Sequence, residues 1–184
     1  MGAGRASKGG CVSFEPDAHP LPDVRQETWF AYMRVMLRLN YEMNRQLQAD
    51  SDLSLQDYDV LNALADSPDS RLRLTALAAR IGVERTRLSH HLQRMAGRGL
   101  VERTASTQDG RAVDVVLTET GLGVLRSATP GHVALVRRMF FDGLDDDLIA
   151  PLHTALEQIH EQVVTHGTLP RPGQWQHRWP ELDG

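Results

Sequence analysis

The amino-acid sequence predicts a mainly α protein with one small β-hairpin, and three observations carry that reading. Two short apolar-striped segments, 75–81 and 84–98, stand back to back across a glycine. Directly after them the apolar period changes from helical to alternating around an Asp-Gly pair. Nine arginines and only three acids then fall between Arg71 and Arg111, a local balance of +6 in a chain of net charge −4.

The elements follow in order. Val24 to Ala49 is expected to form a long helix, because Trp29, Tyr32, Met33, Met36, Leu37, Leu39, Met43 and Leu47 recur near helical spacing without Pro or Gly. Asp23, after Pro22, is its expected N-cap, and Ser54 that of a second helix over Leu55–Ala65 striped by Tyr58, Leu61, Leu64 and Ala65. Ser67-Pro68-Asp69-Ser70 signals a loop. Thr75–Ile81 makes a compact helix that Gly82 can end in the left-handed conformation, and Glu84–Arg98 follows after a tight turn through Val83. That spacing is a helix-turn-helix signal. Leu100–Thr104 and Val113–Thr118 are expected strands, joined through Gln108-Asp109-Gly110-Arg111, and a hairpin placed there is a wing. Glu119–Phe141 and Asp145–Thr165 are two more helices, the first expected to kink or break at Pro130-Gly131.

The organisation expected is therefore a flexible arm (1–22), a winged helix-turn-helix lobe (51–118), a helical dimerisation region (23–50 and 119–166) and an irregular tail (167–184). No apolar run approaches the length of a membrane span, and the arm lacks the apolar stretch of a secretory signal. Both point to a soluble, cytoplasmic chain with no membrane partner. Cys11 is the single cysteine, so an intrachain disulfide is impossible and a thiolate zinc cluster is not expected. A redox-responsive use of Cys11 is the one alternative role open to it.

Charge segregation gives the functional direction. Outside residues 71–111 the chain carries 11 basic and 21 acidic groups, so a cationic face is set on an acidic body. Such a face is the electrostatic footprint of a nucleic-acid binder. On the helix 84–98, Leu88, Leu92 and Met95 share the inward face. Thr86, His90, Gln93 and Gly97 lie opposite, flanked by Arg87, Ser89 and Arg94, a set that can donate to base edges and phosphates in a major groove. Arg111 at the hairpin tip suits the narrow minor groove, with Asp109 placed to hold the tip in shape. Arg71, Arg73 and Arg85 complete the candidate DNA-binding set, and His90 and His91 both fit the DNA-facing or lobe surface.

These residues resemble the MarR (multiple antibiotic resistance regulator) family. The resemblance rests on Leu74-Thr75-Ala76-Leu77-Ala78, Gly82, Leu88-Ser89-His90, Arg94-Met95 and Gly99-Leu100-Val101-Glu102-Arg103. It continues through the wing Asp109-Gly110-Arg111 and Val116-Leu117-Thr118-Glu119-Thr120-Gly121, and covers about Glu27 to Val164. It implies a homodimer with intertwined terminal helices whose two winged lobes read a pseudo-palindromic double-stranded DNA site. It also implies repression relieved by a small, often aromatic, effector. The family position at Glu84 is usually a small hydroxyl residue. Glu is a poorer cap and repels phosphate unless Arg85 or Arg87 pairs with it.

Trp29, Tyr32, Met33, Met36 and Tyr58 form a candidate effector-binding set, or else plain core and dimer interface. His153 and His160 share a helix face, but His166 falls well round from them and no carboxylate spacing completes a metal site. No phosphate loop, nucleophile elbow or paired ligand motif is present, so neither catalysis nor a cofactor is expected. A winged-helix module turned to protein partners is the remaining alternative.

Overall fold

The computed structural model describes residues 21–105 and 112–173. Its elements are α1 (Asp23–Ser51), α2 (Leu55–Ala65), β1 (Arg71–Arg73), α3 (Leu74–Arg80), α4 (Arg85–Gly97), β2 (Val101–Ala105), β3 (Val113–Leu117), α5 (Glu119–Val136) and α6 (Asp146–His166). The fold is mainly α with a small antiparallel sheet, as expected. Among the described residues no helix is long and apolar enough to cross a membrane.

Helix α1 begins one residue earlier than expected. The Pro22 carbonyl accepts the amides of Arg25 and Gln26 at 2.9 and 3.0 Å, so Asp23 lies inside the first turn rather than at the N-cap. Its charge there still complements the positive end of the helix. Contacts divide the chain after Met36. In the first unit the Trp29 and Tyr32 rings meet with centroids 5.6 Å apart.

The second unit holds the core, in which Leu47, Leu53, Leu61, Leu64, Leu77, Leu88, Leu92, Met95, Val115 and Leu125 are fully enclosed. Helix α2 opens with a reciprocal cap: Ser54 Oγ accepts the Asp57 amide at 3.0 Å and the Asp57 carboxylate accepts the Ser54 amide at 2.9 Å. Between α3 and α4 the chain turns at Gly82, whose φ of +68° suits only glycine without strain. The Val83 amide closes that turn on the Ala78 carbonyl at 3.0 Å.

The sheet holds a strand the sequence reading missed. Arg71–Arg73, to which the sequence assigned no element, pairs antiparallel with β3, giving the order β1-β3-β2. Three residues are too few to display an alternating period, and only the partner strand reveals it. Strands β2 and β3 form the wing, with Val101 opposite Leu117 and Ala105 opposite Val113. The expected turn, with Asp109 and Arg111, lies outside the described residues.

The joint between wing and α5 depends on two residues. Thr118 caps α5 by accepting the Gly121 amide at 2.9 Å, and its hydroxyl lies 2.7 Å from the Gly99 carbonyl and 3.0 Å from that of Leu100. Gly121 lets the helix sit directly on Leu100. A Cβ there would overlap the Leu100 carbonyl oxygen and press on Leu117 Cδ1 at 2.9 Å.

Helix α5 runs unbroken through Pro130-Gly131, so the expected break does not occur there. Pro130 is exposed, and Gly131 serves a close approach to α1: a Cβ there would meet Gln46 Nε2 at 3.1 Å and Asp50 Oδ2 at 3.2 Å. The irregularity comes later, as a single π turn over Arg137–Phe141 closed by the Asp142 amide on the Arg137 carbonyl at 2.9 Å. No residue of α6 is buried; Leu148, Leu156, Ile159 and Val163 are exposed along it.

Candidate nucleic-acid interface

The site is built on α4. Its inward face, Leu88, His91, Leu92 and Met95, is buried against the lobe core. Its outward face leaves Arg85, Thr86, Arg87, His90, Gln93 and Arg94 exposed. Burying four residues of one face fixes the rotation of the helix, and with it the direction in which those six side chains project. Ser89 is half-buried at the edge, where its hydroxyl accepts from Arg103 Nη2 of β2 at 3.2 Å. This bond ties the helix to the wing. Arg103 was not singled out in the sequence, and nothing in its spacing betrays the contact.

His91 is a correction. It is buried rather than on the lobe surface, with Nε2 standing 2.9 Å from Asp57 Oδ1. Its place three residues after Leu88 and four before Met95 is the signal that puts it on the inward face. Asp57 also accepts from Arg98 Nη1 at 3.0 Å, and Arg98 Nη2 donates to the Asp52 carbonyl. Burial pushes the Asp57 carboxyl upward, but His91 and Ser54 outweigh it and hold the group well below the usual carboxylate range. The C-terminal end of α4 is thus anchored to the start of α2 through an ionised carboxylate.

At the other end Glu84 does cap α4. Its carboxylate accepts the Arg87 backbone amide at 3.0 Å, and the Thr86 and Arg87 amides draw it below its ordinary range, with a smaller pull from the Arg85 charge. The partner is therefore backbone, not one of the guanidinium groups proposed for it. An anion sits where a hydroxyl cap would leave the helix end free for a phosphate. Glu84→Ser is expected to keep the cap and tighten DNA binding by roughly two- to fivefold at low salt, the size of one helix-end charge interaction. Unchanged affinity across a titration would show that Glu84 lies away from the phosphates.

Arg71 and Arg73 lie on edge strand β1, opposite Val116 and Asp114 respectively. Arg71 Nη1 is 3.7 Å from the buried Asp114 carboxylate, so its direction is set by the sheet. Of the aromatic and Met set, Trp29 and Tyr32 are exposed, and Met33 and Met36 are half-buried. Tyr58 is buried in the core. Its hydroxyl is 3.4 Å from Thr129 Oγ1 and its ring centroid 4.4 Å from that of His132, and burial pushes its pKa up to about 12. His153, His160 and His166 are exposed on α6, and among the described residues no group of three His, Cys, Asp or Glu side chains could hold a metal ion.

Comparison with known proteins agrees with this geometry. The MarR family model matches residues 51–112. The crystal structure of AbsC, a MarR family transcriptional regulator from Streptomyces coelicolor, is 35% identical, with a TM-score of 0.74 over 79% of this chain and 98% of that one. Sco3205, a MarR family regulator from the same organism solved in complex with DNA, is 34% identical, with a TM-score of 0.77 over 82% of this chain and 98% of its own. The HTH-type transcriptional repressor YetL of Bacillus subtilis (strain 168) is 27% identical over 121 residues, 66% of this chain and 72% of that protein. With a winged helix built from Leu55 to Leu117 and such identity over nearly the whole of two regulators, this chain belongs to the MarR family of DNA-binding transcriptional regulators, which are not enzymes.

Proposed function

We propose that the protein is a repressor that binds a pseudo-palindromic operator as a homodimer and is released by a small aromatic molecule. The observation that carries the DNA-reading part is α4 itself, with four buried residues on one face and exposed Arg, His, Thr and Gln side chains on the other. In each protomer α4 enters a major groove. Arg85, Thr86, Arg87, Ser89, His90 and Arg94 supply base and phosphate contacts, while Arg71 and Arg73 touch the backbone alongside. Asp109 and Arg111 place the wing tip in the neighbouring minor groove. The similarity to a regulator solved on DNA supports this reading, and the similarity to YetL supports repression.

Residues 23–50 and 119–166 form the dimerisation region and 51–118 the DNA-binding lobe, flanked by the arm 1–22 and the tail 167–184. The exposed apolar residues of α1 (Trp29, Phe30, Val35, Leu37) and of α6 (Leu148, Leu156, Ile159, Val163) are surface that a second copy would cover. Trp29, Tyr32, Met33, Met36 and Tyr58 are the proposed effector-binding set, and the protein works in the cytoplasm.

The test is a duplex selected from random DNA and titrated with variants. His90→Ala or Arg94→Ala is expected to cost roughly 1–3 kcal/mol on the selected duplex and to relax preference at particular base pairs. Arg111→Ala should weaken binding while leaving the dimer folded. A uniform loss on every sequence would reduce His90 and Arg94 to phosphate contacts, and no loss at all would remove α4 from the interface.

A further inference from the structure

We infer that His91, although buried and out of reach of DNA, is a positioning residue for sequence reading: it holds the Arg94 guanidinium in one orientation. The inference rests on the reading of α4 as the DNA-contacting helix. Arg94 Nη2 lies 2.9 Å from His91 Nδ1. A guanidinium can only donate, so Nδ1 must be the acceptor and the ring proton must sit on Nε2. That nitrogen is the one facing Asp57 Oδ1 at 2.9 Å.

Asp57 is fixed in turn. Its amide and carboxylate form the α2 capping box with Ser54, and Arg98 Nη1 reaches its other oxygen at 3.0 Å. The groups facing the imidazole are therefore Asp57 from α2 and Arg94 from its own helix, with Arg98 behind Asp57. A chain of contacts runs from the α2 cap through a buried ring to the head of an exposed arginine.

The consequence is specificity. An exposed arginine samples many rotamers, and bidentate reading of a guanine edge needs the planar fork presented in one orientation. One N–H of Arg94 is spent on His91 and fixes the plane, leaving the other donors for the groove. His91 should thus affect which base pair is preferred more than how tightly any DNA is held.

The experiment is a double-mutant cycle on the full-length protein. The probes are the duplex it selects from random DNA and the same duplex substituted one base pair at a time. His91→Phe keeps a buried ring without an acceptor. It should lose about tenfold of the discrimination at the base pair where Arg94→Ala loses it, with nonspecific binding unchanged, and the double variant should be no worse than Arg94→Ala. Additive losses, or an equal loss on every duplex, would overturn the positioning role while leaving the α4 reading intact. An Arg94→Ala variant with unchanged discrimination would overturn that reading of Arg94 and this inference with it. Should His91→Phe fail to fold, nitrogen NMR of the imidazoles in the wild type and Arg94→Ala decides. A neutral ring protonated at Nε2, whose Nδ1 signal moves in the variant, is expected; a proton on Nδ1 would refute the arrangement.

Discussion

Gly121→Ala is expected to destabilise the lobe by about 3 kcal/mol or more, at the severe end of overpacking. The added methyl would occupy the position of the Leu100 carbonyl oxygen, which is backbone and cannot swing aside as a side chain can. That carbonyl is held in place, since it accepts the Thr118 amide at 3.3 Å and lies 3.0 Å from the Thr118 hydroxyl. Relief would require α5 to lift from the root of the wing and break the Thr118 cap. Gly123, two residues on, provides the control, because a Cβ there meets nothing within 4 Å. Gly123→Ala should stabilise by about 0.5–1 kcal/mol through helix propensity alone. Urea melts of the two variants should move in opposite directions, and parallel shifts would mean that the joint is looser than described.

Arg80→Ala should cost about 3–5 kcal/mol, the penalty for leaving one member of a buried ion pair behind. Arg80 at the end of α3 meets Asp66, which caps the end of α2, and each side chain is only 5% exposed. Burial lowers the pKa of the Arg80 guanidinium. The effect should appear in stability and not in sequence preference, because the pair faces the junction of α2 and α3 rather than α4. A thermal or urea melt within 1 kcal/mol of wild type would show that water reaches Asp66 once the arginine is gone.

Much of this fold is legible where the deciding interaction is local. Ser54 caps α2 as the sequence suggests, and Asp57, three residues on, completes the cap. Gly82 turns where a left-handed residue is needed, and the alternating runs around the Asp-Gly pair do pair as strands. The run Leu117-Thr118-Glu119-Thr120-Gly121 has a physical meaning that spacing alone does not reveal. Thr118 caps the helix and grips the carbonyls of the preceding turn, and Gly121 clears room for them.

What stays hidden depends on residues distant in sequence. Asp57 and Arg98 are 41 residues apart, and Tyr58 and Thr129 are 71 apart. No local pattern announces that an acidic residue in a cap will also receive the end of α4. Strand β1 is invisible because three residues acquire strand character only from β3. Pro130-Gly131 does not break α5, for a related reason. The proline is on the exposed side of α5, and the glycine answers to Gln46 and Asp50 rather than to its own helix. At the proposed interface the arginine cluster and the outward face of α4 are readable from charge and period. The positioning of Arg94 by His91 requires the three-dimensional structure.

The central claim, that the exposed face of α4 and its surrounding arginines form a specific DNA-reading surface, is tested most directly by one titration. The full-length protein is bound to the duplex it selects from random DNA, and to a scrambled duplex, across a salt series. Steep loss of affinity with salt is expected on both, because several arginines displace condensed counterions, together with a preference of at least ~10³-fold for the selected duplex. A flat salt response, or equal affinity for the two duplexes, would contradict the account.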